Sequence, residues 1–426
     1  MEREKLYYVL FEQQKEYLEE KPFIKREITE KALSFIHLKL PIIITGVRRC
    51  GKSTLLQIII KNLKLKEKEY LYINFNDERL INFDINDFQK ILDFLEEQNY
   101  KENCYLLLDE IQEMTNWEKW VDRIKEKHSI FITGSNSKLL SKEISTVLTG
   151  RSINISLYPF SYREFLDAES IQNENWKIDL KLQSKLRKKF LEFSDMGGMP
   201  KVILDKDKRL LKENYENILY RDIVKRFNKN MEKPIKEISV YLLSNISNEL
   251  SIRSLSKTMQ IKNLSTVKSI LDTFENAFLF FFINKFDYSV KKQIQNPRKI
   301  YCIDNGFVNE VGFKFSEDKG RILENLVFIE LKRNEKEIYY FSEKNECDFV
   351  IREKTKIKQA IQVCYDLNNE NRDREVKGLL EAMNKFKLKK GLILTYNQDD
   401  KLKVKGKDII IKPVWKWMME REVKIS

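Results

Sequence analysis

The residues best suited to chemistry in this chain are Lys52, Ser53, Asp109 and Glu110. Lys52 and Ser53 close the string Gly46-Val47-Arg48-Arg49-Cys50-Gly51-Lys52-Ser53-Thr54, which fits G-x-x-x-x-G-K-[ST] without a gap. Glycines at both ends of such a loop let backbone N–H groups turn inward around a polyphosphate. The lysine can reach the β- and γ-phosphates, and the serine hydroxyl can ligate Mg²⁺. Every residue from Gly46 to Thr54 is therefore a candidate nucleotide contact. Asp109 and Glu110 end the apolar run Tyr105-Leu106-Leu107-Leu108. In that place an aspartate holds Mg²⁺ through water, which makes Ser53 and Asp109 the candidate metal residues. The following glutamate polarises the attacking water as a general base.

These side chains need a particular scaffold. Ile42-Ile43-Ile44-Thr45 reads as a short buried strand, and Ser53 onward as a helix whose free N–H groups point at the same anion. Asp109 is expected at the C-terminal edge of a central parallel strand, where open α/β sheets bind ligands. Glu69–Asp77 and Ser129–Gly134 read as further strands, Asp87–Gln98 and Trp117–Lys127 as helices. The strand from Ser129 ends in Ser135 and Asn136. Asn136 or Ser135 could bind the γ-phosphate or the lytic water, or the stretch could be a simple turn with Ser135 or Ser137 capping the next helix. Arg151, after Thr149-Gly150, is either a finger for a γ-phosphate, on its own or a neighbouring subunit, or a surface arginine at a helix end. Residues 1 to about 40 read as helical, packed on the edge of this domain, with no chemistry of their own.

Taken in order, GVRRCGKST, YLLLDEIQ, FITGSNSKLL, LTGR and YPFSYREFL resemble the archaeal and bacterial family of AAA+-type ATPases that join a P-loop domain to a winged helix and a restriction-endonuclease-like C-terminal domain. The resemblance covers nearly the whole chain. It implies a parallel sheet of order 5-1-4-3-2, Gly51, Lys52 and Ser53 on phosphate and Mg²⁺, and Asp109 and Glu110 on metal and water. It also implies Asn136 as first sensor and Arg151 as finger. The turn Gly197-Gly198-Met199-Pro200 is similar to the G-x-P turn in the lid of related signalling ATPases. There Gly198 and Pro200 would touch the nucleotide base, the alternative being a plain helix–helix turn.

The expected architecture is α/β. A P-loop ATPase core spans 1–160, a helical lid 161–233, a winged helix-turn-helix 234–295 and a nuclease-like α/β domain 296–426. In the third segment Lys262, Asn263, Ser265, Thr266 and Lys268 would face DNA if the last helix enters a groove; docking of protein is the equal alternative. In the fourth, Glu324 and Asp348 match metal-binding carboxylates, but the expected E-x-K reads Gln362-Val363-Cys364. Cysteine cannot supply an ammonium, so cleavage is expected to be lost.

Composition sets the outer bounds. The 426 residues, 42% hydrophobic and 34% charged, predict several soluble globular domains. Neither a secretory leader nor a membrane span is read, and five cysteines without C-x-x-C pairing beside two histidines predict no zinc and a reducing, cytoplasmic setting. A net charge of +13 favours a polyanion partner such as DNA, although lysine-rich solvated faces are also ordinary. The expectation is a Mg²⁺-dependent ATPase, with homo-oligomers open, coupling ATP to movement of DNA- or protein-binding domains. Two alternatives stand beside it: a DNA-binding regulator or effector with ATP as a switch, and an ATP-regulated metal-dependent DNA nuclease.

Overall fold

A computed structural model describes residues 1–17, 23–135, 148, 150–313 and 318–420. The chain divides into two compact units, Met1–Tyr158 and Pro159–Ser426.

In the first unit five short strands, β1 (Ile42–Thr45), β2 (Tyr70–Asn74), β3 (Tyr105–Asp109), β4 (Ser129–Gly134) and β5 (Ile153–Ser156), form one sheet of order β2-β3-β4-β1-β5. Read from the other edge this is 5-1-4-3-2, the order the family resemblance implied. All pairs are parallel, and Ile42 lies between Phe131 of β4 and Ile153 of β5. The central strands are buried on both faces because crossover helices cover both, which is why they read as unbroken apolar runs. α1 (Arg3–Tyr17), α2 (Ile28–Ser34), α3 (Lys52–Leu63), α4 (Asp87–Glu97) and α5 (Trp117–Ile124) supply that cover. Leu6, Val9, Leu10, Ile91, Phe94 and Trp120 meet the sheet residues Leu71, Ile73, Leu106 and Leu108 in one core.

α1 does more than cover. Gln13 exchanges two hydrogen bonds with the backbone of Asn74: its Oε1 accepts from N at 3.0 Å and its Nε2 donates to O at 3.1 Å. Gln14 Oε1 accepts from Tyr72 N at 3.1 Å. Two amide side chains thus continue the ladder of the edge strand β2, a device that shields an open sheet edge.

The second unit opens with a reciprocal capping box between Ser161 and Glu164 at helix Tyr162–Ala168. Helices Leu180–Met196, Pro200–Asp205 and Arg209–Asn217 follow. Helices Glu232–Ser244, Ile252–Thr258 and Leu264–Asn276 then lead into a small antiparallel sheet. It consists of β6 (Glu249–Leu250), β7 (Phe280–Asn284) and β8 (Arg298–Cys302), in the order β6-β8-β7. Phe280 pairs with Cys302 and Asn284 with Arg298, so a boundary at 295/296 would cut a hairpin in two. The composition shift near Asn296 is real, but backbone pairing assigns the strand after it to the module before it.

The remaining strands are β9 (Glu337–Ser342), β10 (Glu346–Glu353), β11 (Lys356–Val363), β12 (Lys390–Thr395), β13 (Asp400–Val404) and β14 (Lys407–Pro413). They form a mixed sheet, β13-β14-β12-β11-β10-β9, whose centre is parallel and whose flanks are antiparallel. β13, with its charged DKLKV sequence, gave no strand signal; it exists because β14 offers it an edge. Helices Lys319–Arg333 and Arg372–Lys385 pack on this sheet.

Candidate active site

The loop between β1 and α3 is shaped by close approach. A Cβ on Gly46 would lie 2.2 Å from the Leu157 carbonyl oxygen, and Gly51 sits at φ +98°, so both positions require glycine. Cys50 fills the space beneath. It is fully buried, its Sγ lies 3.5 Å from Leu157 O, and burial pushes its thiol up. It acts as a small apolar filler. Arg26 braces the loop from below, a role no sequence signal announced. Its Nη1 donates to Cys50 O at 2.9 Å and its Nη2 to Tyr158 O at 2.6 Å, the whole side chain being buried. Val47 is buried, whereas Arg49, Ser53 and Thr54 are exposed.

Parallel strands bring their C-terminal ends to the same edge, and there the four key residues meet. Lys52 Nζ donates to the carbonyls of Gly46 at 3.2 Å and Val47 at 3.3 Å, and lies 3.7 Å from Glu110 Oε1. Asp109 is almost wholly buried. It accepts hydrogen bonds from Ser53 and Thr133 hydroxyls and, at 2.8 Å, from Tyr72 OH. Burial first and the neighbouring Glu110 charge second raise its pKa above the usual carboxylate range. Glu110 behaves oppositely. Burial works against its charge, yet Lys52, a hydrogen bond from Gln112, and Arg48 together lower its pKa, so it is ionised at neutral pH. Its backbone is left-handed, φ 51°, held by a 3.1 Å bond from its N–H to Thr133 Oγ1. A non-glycine residue in that region is a local strain that the surrounding fold must impose.

Ser53 and Asp109 converge on each other and offer only oxygen donors, the set a hard divalent cation requires. Such a set would fit Mg²⁺.

Sequence reading overlooked three members of this cluster. Thr133 bridges both acids, and a threonine near the end of the apolar run FIT was its only signal. Tyr72 reaches Asp109 from β2, where Asn74 pairs with Asp109 and places Tyr72 on the same face. Tyr17 of α1 stacks on Tyr72, with centroids 3.6 Å apart and planes 7° apart, and its OH lies 3.4 Å from Ser53 O. The N-terminal helix is therefore one ring from the Asp109 carboxylate.

The outlying candidates fall elsewhere. Asn136 lies outside the described residues; Ser135 before it is buried and its backbone bonds Glu110. Arg151 precedes β5, whose Ile153 N–H donates to Pro41 O, so it lies at the N-terminal edge of the sheet. The phosphate loop leaves the opposite edge, about 13 Å away along a four-residue strand. Arg151 is 62% exposed and 3.7 Å from Asp122. Pro200 lies in the second unit as the first residue of helix Pro200–Asp205. The glycines before it answer to Asp304. A Cβ on Gly197 would collide with that carboxylate, and Gly198 N donates to it at 2.6 Å.

Residues 39–166 match the family of AAA domains, and residues 187–318 and 319–417 match two domains of unknown function, DUF8612 and DUF4143. The uncharacterized protein MJ1544 of Methanocaldococcus jannaschii is 38% identical over 398 residues, covering 88% of each chain. An uncharacterized protein of Haemophilus influenzae is 28% identical over 387 residues, 88% of this chain and 93% of that one. Among solved structures, the Walker-type ATPase paby2304 of Pyrococcus abyssi is similar at a TM-score of 0.45 and 13% identity. That match covers 68% of this chain and 98% of the other, a likeness too distant to argue from.

Proposed function

The chain belongs to the family of the Methanocaldococcus jannaschii protein MJ1544 and carries an AAA domain; from that premise we propose that it hydrolyses ATP with Mg²⁺. The observation that supports this reading is the meeting of Lys52, Ser53, Asp109 and Glu110 at one sheet edge, with Ser53 bonded to Asp109. The loop N–H groups and Lys52 bind and orient the phosphates. Ser53 and Asp109 would hold Mg²⁺, which would supply charge neutralisation to the transferred phosphoryl group. Glu110, ionised and fixed by Thr133, accepts a proton from water. In this reading Asn136 contacts the γ-phosphate, and Arg151 acts on a neighbour's nucleotide, which its edge of the sheet favours over its own.

Downstream, we read helices Glu232–Ser244, Ile252–Thr258 and Leu264–Asn276 with the β7–β8 hairpin as a winged helix, and the mixed sheet as a restriction-endonuclease-like end. ATP turnover would drive movement of these parts against DNA or protein.

The test is nucleotide binding and steady-state hydrolysis by purified full-length protein. Lys52→Ala removes a charged hydrogen-bond donor of ~1.5–3 kcal/mol and should weaken ATP binding by roughly 10–100-fold, with turnover lost. Wild-type affinity and turnover in that variant would sink the assignment. Glu110→Gln should still bind ATP but hydrolyse it ~10²–10⁴ more slowly.

A further inference from the structure

The second unit holds a buried cation that neither the motif nor the family likeness announces. Lys299 lies on β8, and its side chain is only 2% exposed. Its Nζ is 3.0 Å from Asp348 Oδ1, 3.1 Å from Glu324 Oε1 and 2.6 Å from Glu346 Oε1. Two further donors reach the same carboxylates. Tyr301, two residues along the same strand, donates to Glu324 Oε1 at 2.7 Å, and Val363 N donates to Asp348 Oδ2 at 2.9 Å. Gln362, where a metal-binding acid is expected, instead donates to Glu375 at 2.7 Å. Among the described residues no group of three or more His, Cys, Asp or Glu is arranged to hold a metal ion. The two carboxylates picked from the sequence, Glu324 and Asp348, do come together, but they do so around an ammonium.

We propose that Lys299 is the resident cation of this cluster: its ammonium stands where a divalent metal would stand between Glu324 and Asp348, and the groove in front of them takes no metal. The distances to Asp348 and Glu324, 3.0 and 3.1 Å, are those of N–H···O bonds from an ammonium. A divalent ion between the same oxygens would lie within van der Waals reach of a positive charge held by packing, so the two exclude each other. Burial, the largest influence on Lys299, would strip its proton. Asp348 and Glu324 outweigh burial and hold it well above the usual lysine range. The ammonium also has a mechanical consequence. β8 belongs to the three-stranded sheet, whereas Asp348 and Glu346 belong to β10 of the mixed sheet and Glu324 to helix Lys319–Arg333. One side chain therefore ties three elements together at the groove.

This inference is independent of the nucleotide reading, and its test uses nucleotide-free full-length protein with Mn²⁺ as probe. Bound Mn²⁺ is counted by its paramagnetic resonance signal for wild type, Asp348→Asn, Glu346→Gln, Lys299→Met and Lys299→Met/Asp348→Asn. The expected result is equal uptake by wild type, Asp348→Asn and Glu346→Gln. Lys299→Met, which keeps the stem and removes the charge, should gain one Mn²⁺ that the double variant loses again. If wild type binds an Mn²⁺ that Asp348→Asn or Glu346→Gln loses, the cluster is a metal site and the proposal falls. It falls as well if folded Lys299→Met gains nothing. Should Lys299→Met fail to fold, wild type against the two carboxylate variants decides by itself.

Discussion

At the scale of residues, the acid pair shows how two adjacent carboxylates acquire different tasks. Asp109 is buried and bonded by three hydroxyls and Glu110 is kept charged by Lys52, and the proposed reaction gives the ion to the first and the water to the second. Tyr72 belongs to the first of these tasks as a positioning residue. Losing the hydroxyl in Tyr72→Phe keeps the stack on Tyr17 and removes one of the bonds that orient Asp109. Partners of this kind typically contribute about 10–100-fold to metal affinity. The variant should need about tenfold more Mg²⁺ for half-maximal hydrolysis, with ATP binding in EDTA unchanged. An unaltered Mg²⁺ dependence would remove Tyr72 from the site.

At the scale of elements, the turn Gly197–Gly198 and the start of helix Asn305–Val311 share Asp304. This carboxylate accepts from Gly198 N at 2.6 Å and Gly306 N at 2.8 Å. Burial outweighs those bonds and pushes it up to about 7, from an ordinary value of 3.8. A raised folded pKa contributes stability that is complete below the unfolded value and lost as pH rises through the folded one. Thermal stability should therefore decline between about pH 4 and pH 8 through this group. Asp304→Asn, which keeps an acceptor but cannot ionise, should flatten that part of the profile. An Asn variant with the same slope as wild type would show that Asp304 does not titrate there.

At the scale of the whole molecule, Arg151 carries the oligomer question. It lies at the sheet's N-terminal edge, opposite the phosphate loop of its own chain, and the proposal has it act on a neighbour's nucleotide. Arg151→Ala should lower turnover by roughly 10³-fold or more. Mixing it with Lys52→Ala should restore hydrolysis, because each supplies what the other lacks. No recovery in mixtures that demonstrably co-assemble would refute action between subunits. Among the described residues no helix is long and apolar enough to cross a membrane.

What the sequence by itself determined is local. A strand, a glycine-bounded turn and a helix are written in consecutive residues, so Gly46 to Thr54 and the acids after Leu108 could be read directly, and with them the AAA domain. The partners that finish each site come from far along the chain. Tyr72 is 37 positions from Asp109, Arg26 is 132 from Tyr158, and Lys299 is 49 from Asp348. Only pairing of strands and packing of buried side chains brings such residues within hydrogen-bond range. The tertiary structure alone therefore decided that a tyrosine hydrogen-bonds the Asp109 carboxylate, and that a lysine from a neighbouring sheet sits in the second acidic cluster.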